Sequence, residues 1–162
     1  MADPSWTHRG PASVQARYAP DSVCYGCGPA NPGGLHLESH EEGETLVASW
    51  QADTVHEAFP GYVNGGVIGT LVDCHGNWAA TLALMRLLGR DRPLPTVTAE
   101  LALRYRRPTP SRDPITLRAR VTAVDDHSAT AEVVVEAGGV ECATGMARYV
   151  AVGPGHPAHD RW

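Results

Sequence analysis

A glycine pair followed by a single carboxylate is the feature of this sequence best suited to chemistry. Gly65 and Gly66 open a pattern typical of a helix, and Asp73 follows eight residues after Gly65. A helix N-terminus presents N–H groups without intrahelical acceptors, and glycine lets a carbonyl oxygen approach them closely. On a helix, Asp73 would lie about 12 Å along the axis from Gly65 and roughly 80° around it. The pattern predicts an oxyanion site that faces an acid.

The helix and strands that would position the glycine pair and Asp73 are predicted to belong to one acidic domain. A chain of 162 residues can build a single core, and a net charge of -5 with a pI near 5.9 disfavours binding to nucleic acid or to a membrane surface. We find no signal-peptide or transmembrane pattern, so we expect a cytoplasmic protein. The cysteines are then expected to be reduced thiols. They are Cys24, Cys27, Cys74 and Cys142.

Both ends of the chain lack the periodicity of regular structure. Proline and glycine interrupt residues 1–23, which we predict as an extended or disordered N-terminal arm, and residues 153–162, which we predict as a C-terminal tail. His8, His156 and His159 fall in these segments and are therefore poor candidates for chemistry. The folded domain is predicted over residues 24–152.

The domain changes from strand to helix once and back once. Two short strands are predicted at residues 35–39 and 44–50, and apolar residues then recur at helical spacing from Gly65 to about residue 88, where Gly89 would cap the helix. Alternating segments follow at 96–107, 115–125, 129–137 and 140–152. We predict an α+β fold, with a curved antiparallel sheet of about five to six strands wrapped around one long central helix. An open sheet edge would suit pairing with a second copy of the chain.

Three sequence pieces carry a family resemblance. They are CYGCGPANPGGL at residues 24–35, PGYVNGG at 60–66 with Asp73, and VTAEL at 97–101 with YRRP at 105–108. In this order and spacing the chain resembles the hotdog-fold acyl-CoA thioesterases, especially the phenylacetate-type (PaaI-like) branch. The resemblance implies a hotdog fold and hydrolysis of an acyl-CoA or acyl-carrier-protein thioester to a free acid and a thiol. It also implies a homodimer or a homotetramer (a dimer of dimers), with the substrate at the dimer interface.

The resemblance further implies roles for single residues. Gly65, followed in the same turn by Gly66, would form the oxyanion hole. Asp73 would act as nucleophile or as general base for water, and relatives usually take this acid from the neighbouring subunit. Thr98 would help to position the attacking water. Thioester hydrolysis needs a stabilised oxyanion and a base, so we expect no metal and no cofactor.

Two positions depart from the family pattern. Asn64 stands where relatives usually carry histidine, and it keeps a hydrogen-bonding group that cannot titrate. Ala58 stands where relatives often carry an amide side chain that holds water, a task that His56 or Glu57 could take over. These departures leave two alternatives open. One is a non-hydrolytic acyl-thioester binding protein. The other is a dehydratase- or lyase-like hotdog enzyme in a biosynthetic pathway, because HEAFPG at residues 56–61 weakly resembles a segment of the hotdog dehydratases.

Other polar residues extend the candidate site towards a substrate. Asn77 belongs to the same stripe of small and polar helix residues as Asp73, although such a stripe could instead only allow two helices to approach across a dimer. Strand alternation predicts Arg104 and Arg106 on one face with Thr98, where they could bind the phosphates of coenzyme A. An ordinary solvated face is the alternative for these arginines.

The Cys24-x-x-Cys27 pair superficially suggests zinc with His36 and His40. A zinc finger would need a helix that carries the histidines, whereas proline and glycine at residues 32–34 predict a turn and a strand. We therefore predict an ordered turn without a metal ion. Cys74 and His75, which follow Asp73 on the helix, are predicted as core residues.

Overall fold

The computed structural model describes residues 11–162, so that His8 and the first ten residues of the predicted N-terminal arm lie outside the described residues. The helices of these residues are α1 (Val14–Tyr18) and α2 (Gly65–Leu87), and a 3-10 turn spans Thr54–His56. The strands are β1 (Ser39–Glu42), β2 (Thr45–Trp50), β3 (Glu57–Phe59), β4 (Tyr62–Val63), β5 (Thr96–Tyr105), β6 (Ile115–Val124), β7 (Ser128–Ala137) and β8 (Val140–Ala151).

Six strands form one antiparallel sheet in the order β1-β2-β6-β7-β8-β5, and β3 pairs with β4 in a separate hairpin. The long helix α2 packs against β2 and β5 to β8, and its buried face includes Ile68, Leu71, Trp78 and Leu82. This arrangement confirms the predicted α+β hotdog fold. Gly89 has a φ of 60° directly after α2, as a helix-ending glycine requires. Within residues 11–162, neither helix combines the length and apolarity needed to cross a membrane.

The first predicted strand is displaced along the chain. Residues 35–39 were expected to form it, but β1 runs over Ser39–Glu42 instead. His36 has a φ of 52°, which is incompatible with an extended strand, and the N–H of Leu37 donates to the carbonyl of Gly26 at 3.0 Å. The segment before β1 is therefore a loop that packs on the preceding cysteine-containing turn.

Residues 1–23 were predicted as an extended or disordered arm, and α1 lies within that range. Ser13 caps α1, and the buried Gln15 side chain both donates to Ser39 Oγ at 3.0 Å and accepts the Ser39 N–H at 2.8 Å. Ser39 Oγ also lies 2.8 Å from Nδ1 of His75, which is buried as predicted. Because every polar atom of this amide is satisfied, Gln15 fixes the N-terminal segment to the sheet.

Gly145 on β8 lets α2 approach the sheet closely. A Cβ at this position would overlap Cγ1 of Val72 and would lie 3.3 Å from Cδ2 of Leu103. We expect Gly145→Ala to lower the free energy of unfolding by about 1–3 kcal/mol, because an overpacked core must shift a side chain or the backbone. Denaturant unfolding measures this loss. Gly153→Ala is the control, since a Cβ there meets no atom within 4 Å, and equal losses in both variants would contradict the close approach.

Candidate active site

The first turn of α2 offers one free N–H group at its glycine pair. Asn64 is the N-cap, and its Oδ1 accepts the N–H of Gly66 at 2.7 Å. Gly65 is the first helical residue, so its N–H has no intrahelical acceptor, and none of the described residues accepts it otherwise. Of the two glycines predicted to hold an oxyanion, Gly65 is therefore the one whose N–H is available. Asn64 acts here as a helix cap.

Tyr105 of β5 fixes the same turn from the sheet side. Its hydroxyl donates to the carbonyl oxygen of Gly65 at 2.6 Å, and its ring lies 3.4 Å from the position that a Gly65 Cβ would occupy. Burial raises the pKa of Tyr105, so the hydroxyl keeps its proton and remains a donor. The sequence analysis did not assign this residue to the site, because simple strand alternation puts Tyr105 on the face opposite Thr98.

Asp73 is half-buried two turns further along α2. Its Oδ1 accepts the hydroxyl of Thr98 at 2.7 Å, so the predicted pairing of these two residues is present. Its main-chain carbonyl accepts the hydroxyl of Tyr149 at 3.0 Å. Burial raises the pKa of the Asp73 carboxyl, and the hydrogen bond from Thr98 acts in the opposite direction. A carboxylate that is partly removed from water and held in one orientation is suited to accept a proton.

A β-bulge decides which β5 side chains face α2. The pairing of β5 with β8 shifts register between Thr98 and Glu100, and the extra residue inverts the alternation of side chains beyond it. Leu103 and Tyr105 therefore face α2 together with Thr98. Arg104 lies on the opposite face of the sheet. The prediction that Arg104 shares a face with Thr98 is wrong. It assumed strict alternation of side chains along β5, and the residue inserted at the bulge breaks that alternation.

A cavity of about 360 Å³ adjoins the start of α2. It lies between α2, the β3–β4 hairpin and the segment after β5, and its lining includes Phe59, Gly65, Tyr105, Arg106 and Arg107. Arg106 also forms an exposed ion pair with Glu141 at 3.6 Å. Of the two arginines predicted to contact substrate, Arg106 is therefore near the free N–H of Gly65, and Arg104 does not line this cavity.

His56 has partners that give it a local structural role. Its Nδ1 accepts the N–H of Asp53 at 2.8 Å and completes a capping box around the 3-10 turn. Its ring packs on Trp50 with 5.0 Å between centroids, and its carbonyl accepts the N–H of Asn64 at 2.8 Å. The predicted catalytic histidine thus supports the loop that leads into α2.

Asn77 lies one turn after Asp73 and ties the C-terminal residues to α2. Its Oδ1 accepts Thr96 Oγ1 at 3.0 Å and Arg161 Nη2 at 3.2 Å. Trp162, which follows Arg161 directly, stacks on Trp78 with 4.9 Å between ring centroids and an interplanar angle of 15°. The sequence analysis expected only an irregular tail here, although an arginine–tryptophan pair was a signal for docking. Burial raises the pKa of Asp73, and the charge of Arg161 acts weakly in the opposite direction.

Two comparisons with known proteins identify the family of this chain. Residues 60–143 match the family model described as the thioesterase superfamily. The solved structure of a thioesterase superfamily protein from Shewanella loihica PV-4 is 31% identical, with a TM-score of 0.62, and the match covers 77% of this chain and 98% of that chain. The comparison with curated proteins gives no match.

Two further solved structures share the fold at lower identity. The PaaI protein from the phenylacetic acid degradation operon of E. coli is 14% identical over 74% of this chain and 81% of that chain, with a TM-score of 0.61. A hypothetical thioesterase from Streptococcus pneumoniae TIGR4, solved with coenzyme A, is 15% identical over 72% of this chain and 86% of that chain, with a TM-score of 0.61. The family match extends over more than half of the sequence and contains the start of α2, Asp73 and Thr98. The chain belongs to the thioesterase superfamily.

Proposed function

We propose that this protein hydrolyses an acyl thioester, carried by coenzyme A or by an acyl-carrier protein, to a free acid and a thiol. The observation that carries the proposal is the half-buried carboxylate of Asp73, oriented by Thr98, in a chain of the thioesterase superfamily. The free N–H of Gly65 supplies the second requirement of the reaction, a donor for the oxyanion.

Gly65 and Asp73 of one chain are too far apart to act on the same carbonyl group. They lie eight residues apart on one continuous helix, a separation of about 12 Å along its axis. An oxyanion donor and the group that activates the attacking water must both lie about 3 Å from the atoms they serve. The donor and the acid of one site therefore belong to two copies of the chain. We propose a homodimer in which Gly65 of one protomer faces Asp73 of the other.

The edge strand β5 is the surface that suits this pairing. It is ten residues long, ends the six-stranded sheet and exposes most of its side chains, including Leu101. A long edge strand with exposed apolar side chains is normally covered, because its unpaired N–H and C=O groups can pair with a strand of another chain. Thr98 and Tyr105 place Asp73 and the first turn of α2 beside this edge. A dimer that forms through β5, alone or within a homotetramer, would bring both groups to its interface.

The proposed chemistry follows from these contacts. The N–H of Gly65 donates to the thioester oxygen, and the positive end of α2 stabilises the charge that develops there. Asp73 of the partner subunit accepts a proton from the attacking water, or attacks the carbonyl carbon itself. Thr98 holds that carboxylate in one orientation. When water attacks, the tetrahedral intermediate expels the thiolate, which takes up a proton, and leaves the free acid. When Asp73 attacks, loss of the thiolate leaves a mixed anhydride with Asp73, and a water molecule hydrolyses this anhydride to the free acid and restores the carboxylate.

The cavity at the start of α2 supplies a place for the carrier. Its apolar wall suits an acyl or pantetheine chain, and Arg106 with Arg107 suits phosphate groups. A structural relative was solved with coenzyme A, which supports this choice of carrier.

The test is the release of free thiol from a panel of acyl-CoAs and acyl-carrier proteins. We expect turnover of at least one acyl class at catalytic protein concentrations. Tight binding without thiol release would instead support the non-hydrolytic binder, which Ala58 and the capping role of Asn64 favour. A changed acyl group on an intact thioester would support the dehydratase-like enzyme.

Removal of the Thr98 hydroxyl tests how far its hydrogen bond orients the acid. We expect Thr98→Val to lower kcat roughly ten- to a hundredfold, because a hydrogen bond to a charged group contributes about 1.5–3 kcal/mol. Thr98→Ser keeps the donor and is expected to stay close to wild type. Equal losses in the two variants, measured as kcat for thiol release, would contradict the role of the hydroxyl.

A further inference from the structure

Three cysteine side chains converge where the N-terminal loop meets α2. Cys24 and Cys27 belong to the loop and Cys74 to the helix, and their Sγ atoms all lie within 4.8 Å of one another. The Sγ atoms of Cys24 and Cys74 are 3.7 Å apart, and all three residues are free thiols. The sequence analysis considered His36 and His40 as partners of the loop cysteines. The third sulfur comes instead from a helix residue far along the chain.

The spacing of the sulfur atoms matches that of thiolates around one metal ion. Tetrahedral Zn²⁺ binds thiolate sulfur at about 2.3 Å, which places neighbouring sulfurs about 3.8 Å apart. The 3.7 Å between Cys24 and Cys74 fits this distance, and the other separations require a shift of at most about 1 Å. A structural disulfide needs two cysteines, whereas three converge here.

Residues around the three sulfur atoms orient them and let the loop lie close to α2, as a metal site requires. The indole N–H of Trp78 donates to Sγ of Cys27 at 3.3 Å, and hydrogen bonds of this kind orient thiolate ligands. Gly26 lies between the two loop cysteines, and a Cβ there would overlap Sγ of Cys74. The glycine therefore lets the loop backbone lie directly on the helix thiol. Cys24 is the half-exposed member of the three, which gives an ion a path from solvent.

We propose that Cys24, Cys27 and Cys74 bind one thiophilic divalent metal ion, Zn²⁺, with a water molecule in the fourth position. Each thiol loses its proton to solvent as its sulfur binds the ion. The ion fastens the N-terminal loop to α2 and adds no step to the hydrolysis proposed above. The sequence analysis rejected zinc at the Cys24-x-x-Cys27 pair because His36 and His40 did not fit as ligands, and this site does not use them.

The test measures metal binding by the full chain. We expect about one zinc per chain after purification without chelator, and thiolate-to-cobalt charge-transfer absorption when Co²⁺ is added to the metal-free protein. Cys24→Ser changes a half-exposed loop residue and is expected to weaken Co²⁺ and Zn²⁺ binding by at least about a hundredfold. Trp78→Phe removes the N–H donor and is expected to weaken binding about ten- to a hundredfold.

Cys142→Ser is the matched control, because Cys142 is a buried free thiol on β8 outside the cluster, and its metal affinity is expected to equal that of wild type. The proposal is overturned if the intact chain gives no thiolate-to-cobalt absorption, or if Cys24→Ser binds Co²⁺ as wild type does. It is also overturned if the purified chain lacks metal and has the mass of a Cys24–Cys74 disulfide. These readouts do not depend on thioester hydrolysis.

Discussion

Asp73→Asn is expected to reduce kcat for thioester hydrolysis by roughly a hundred- to ten-thousandfold, the range for loss of a general base. An asparagine Oδ1 can still accept the Thr98 hydroxyl, so the variant removes the basic carboxylate and leaves the local hydrogen bond in place. Burial already disfavours the charge of Asp73, so loss of that charge should not unfold the protein. The measurement is the rate of free-thiol release at saturating acyl-CoA.

A matched control separates the site from a general effect of charge. Asp91→Asn changes an exposed acid in the loop after α2 and is expected to leave kcat unchanged. Thermal unfolding of both variants checks that each remains folded. If Asp73→Asn retained kcat within a few-fold of wild type, neither the nucleophile nor the general-base role of Asp73 would survive.

Gly65→Pro is expected to lower kcat by about a hundred- to a thousandfold, the loss typical for removal of one oxyanion donor. Proline lacks the N–H in question, yet it is favoured at the first position of a helix because its fixed φ suits that turn. The preceding Asn64 has φ -60° and ψ 134°, a conformation that a residue before proline readily adopts. The substitution therefore removes the donor and preserves α2, which circular dichroism can verify.

Gly65→Ala provides the comparison, because it adds a side chain and keeps the N–H. Its Cβ would lie 3.4 Å from the Tyr105 ring, so the change is expected to be tolerated, with kcat within about tenfold of wild type. Similar losses in Gly65→Pro and Gly65→Ala would point to crowding of the turn instead of a missing donor.

The two inactive variants together test the shared site. In a mixed dimer of Asp73→Asn and Gly65→Pro, one of the two sites would combine an intact acid with an intact donor. Random reassociation of equal amounts is then expected to recover roughly a quarter of wild-type activity. A site built within one protomer would recover none.

The long elements were predictable because each has one buried face. Val133, Val135 and Ala137 of β7 alternate with more exposed residues, and α2 repeats bulky residues at helical spacing. The strand face that carries Arg104 was not predictable, because a bulge inserts one residue into β5 and the residue types there give no sign of it. The meeting of Cys74 with the N-terminal loop is equally a tertiary contact between distant parts of the chain.

Two local signals were present in the sequence and were not used. Asn64 directly before the glycine pair is a preferred N-cap residue, and it caps α2 in the structure. Ser13 before α1 is a second cap of the same type, within a segment that was assigned from its proline and glycine content.

The docked C-terminal residues have a practical consequence for protein engineering. Arg161 and Trp162 lie against α2 one turn from the acid, so any polypeptide that continues beyond Trp162, a purification tag included, would start beside the proposed reaction centre. Kinetic work is therefore better done with tags placed away from Trp162 or cleaved off. The stacked Trp78–Trp162 pair also provides an intrinsic fluorescence reporter of whether such a fusion has displaced the tail.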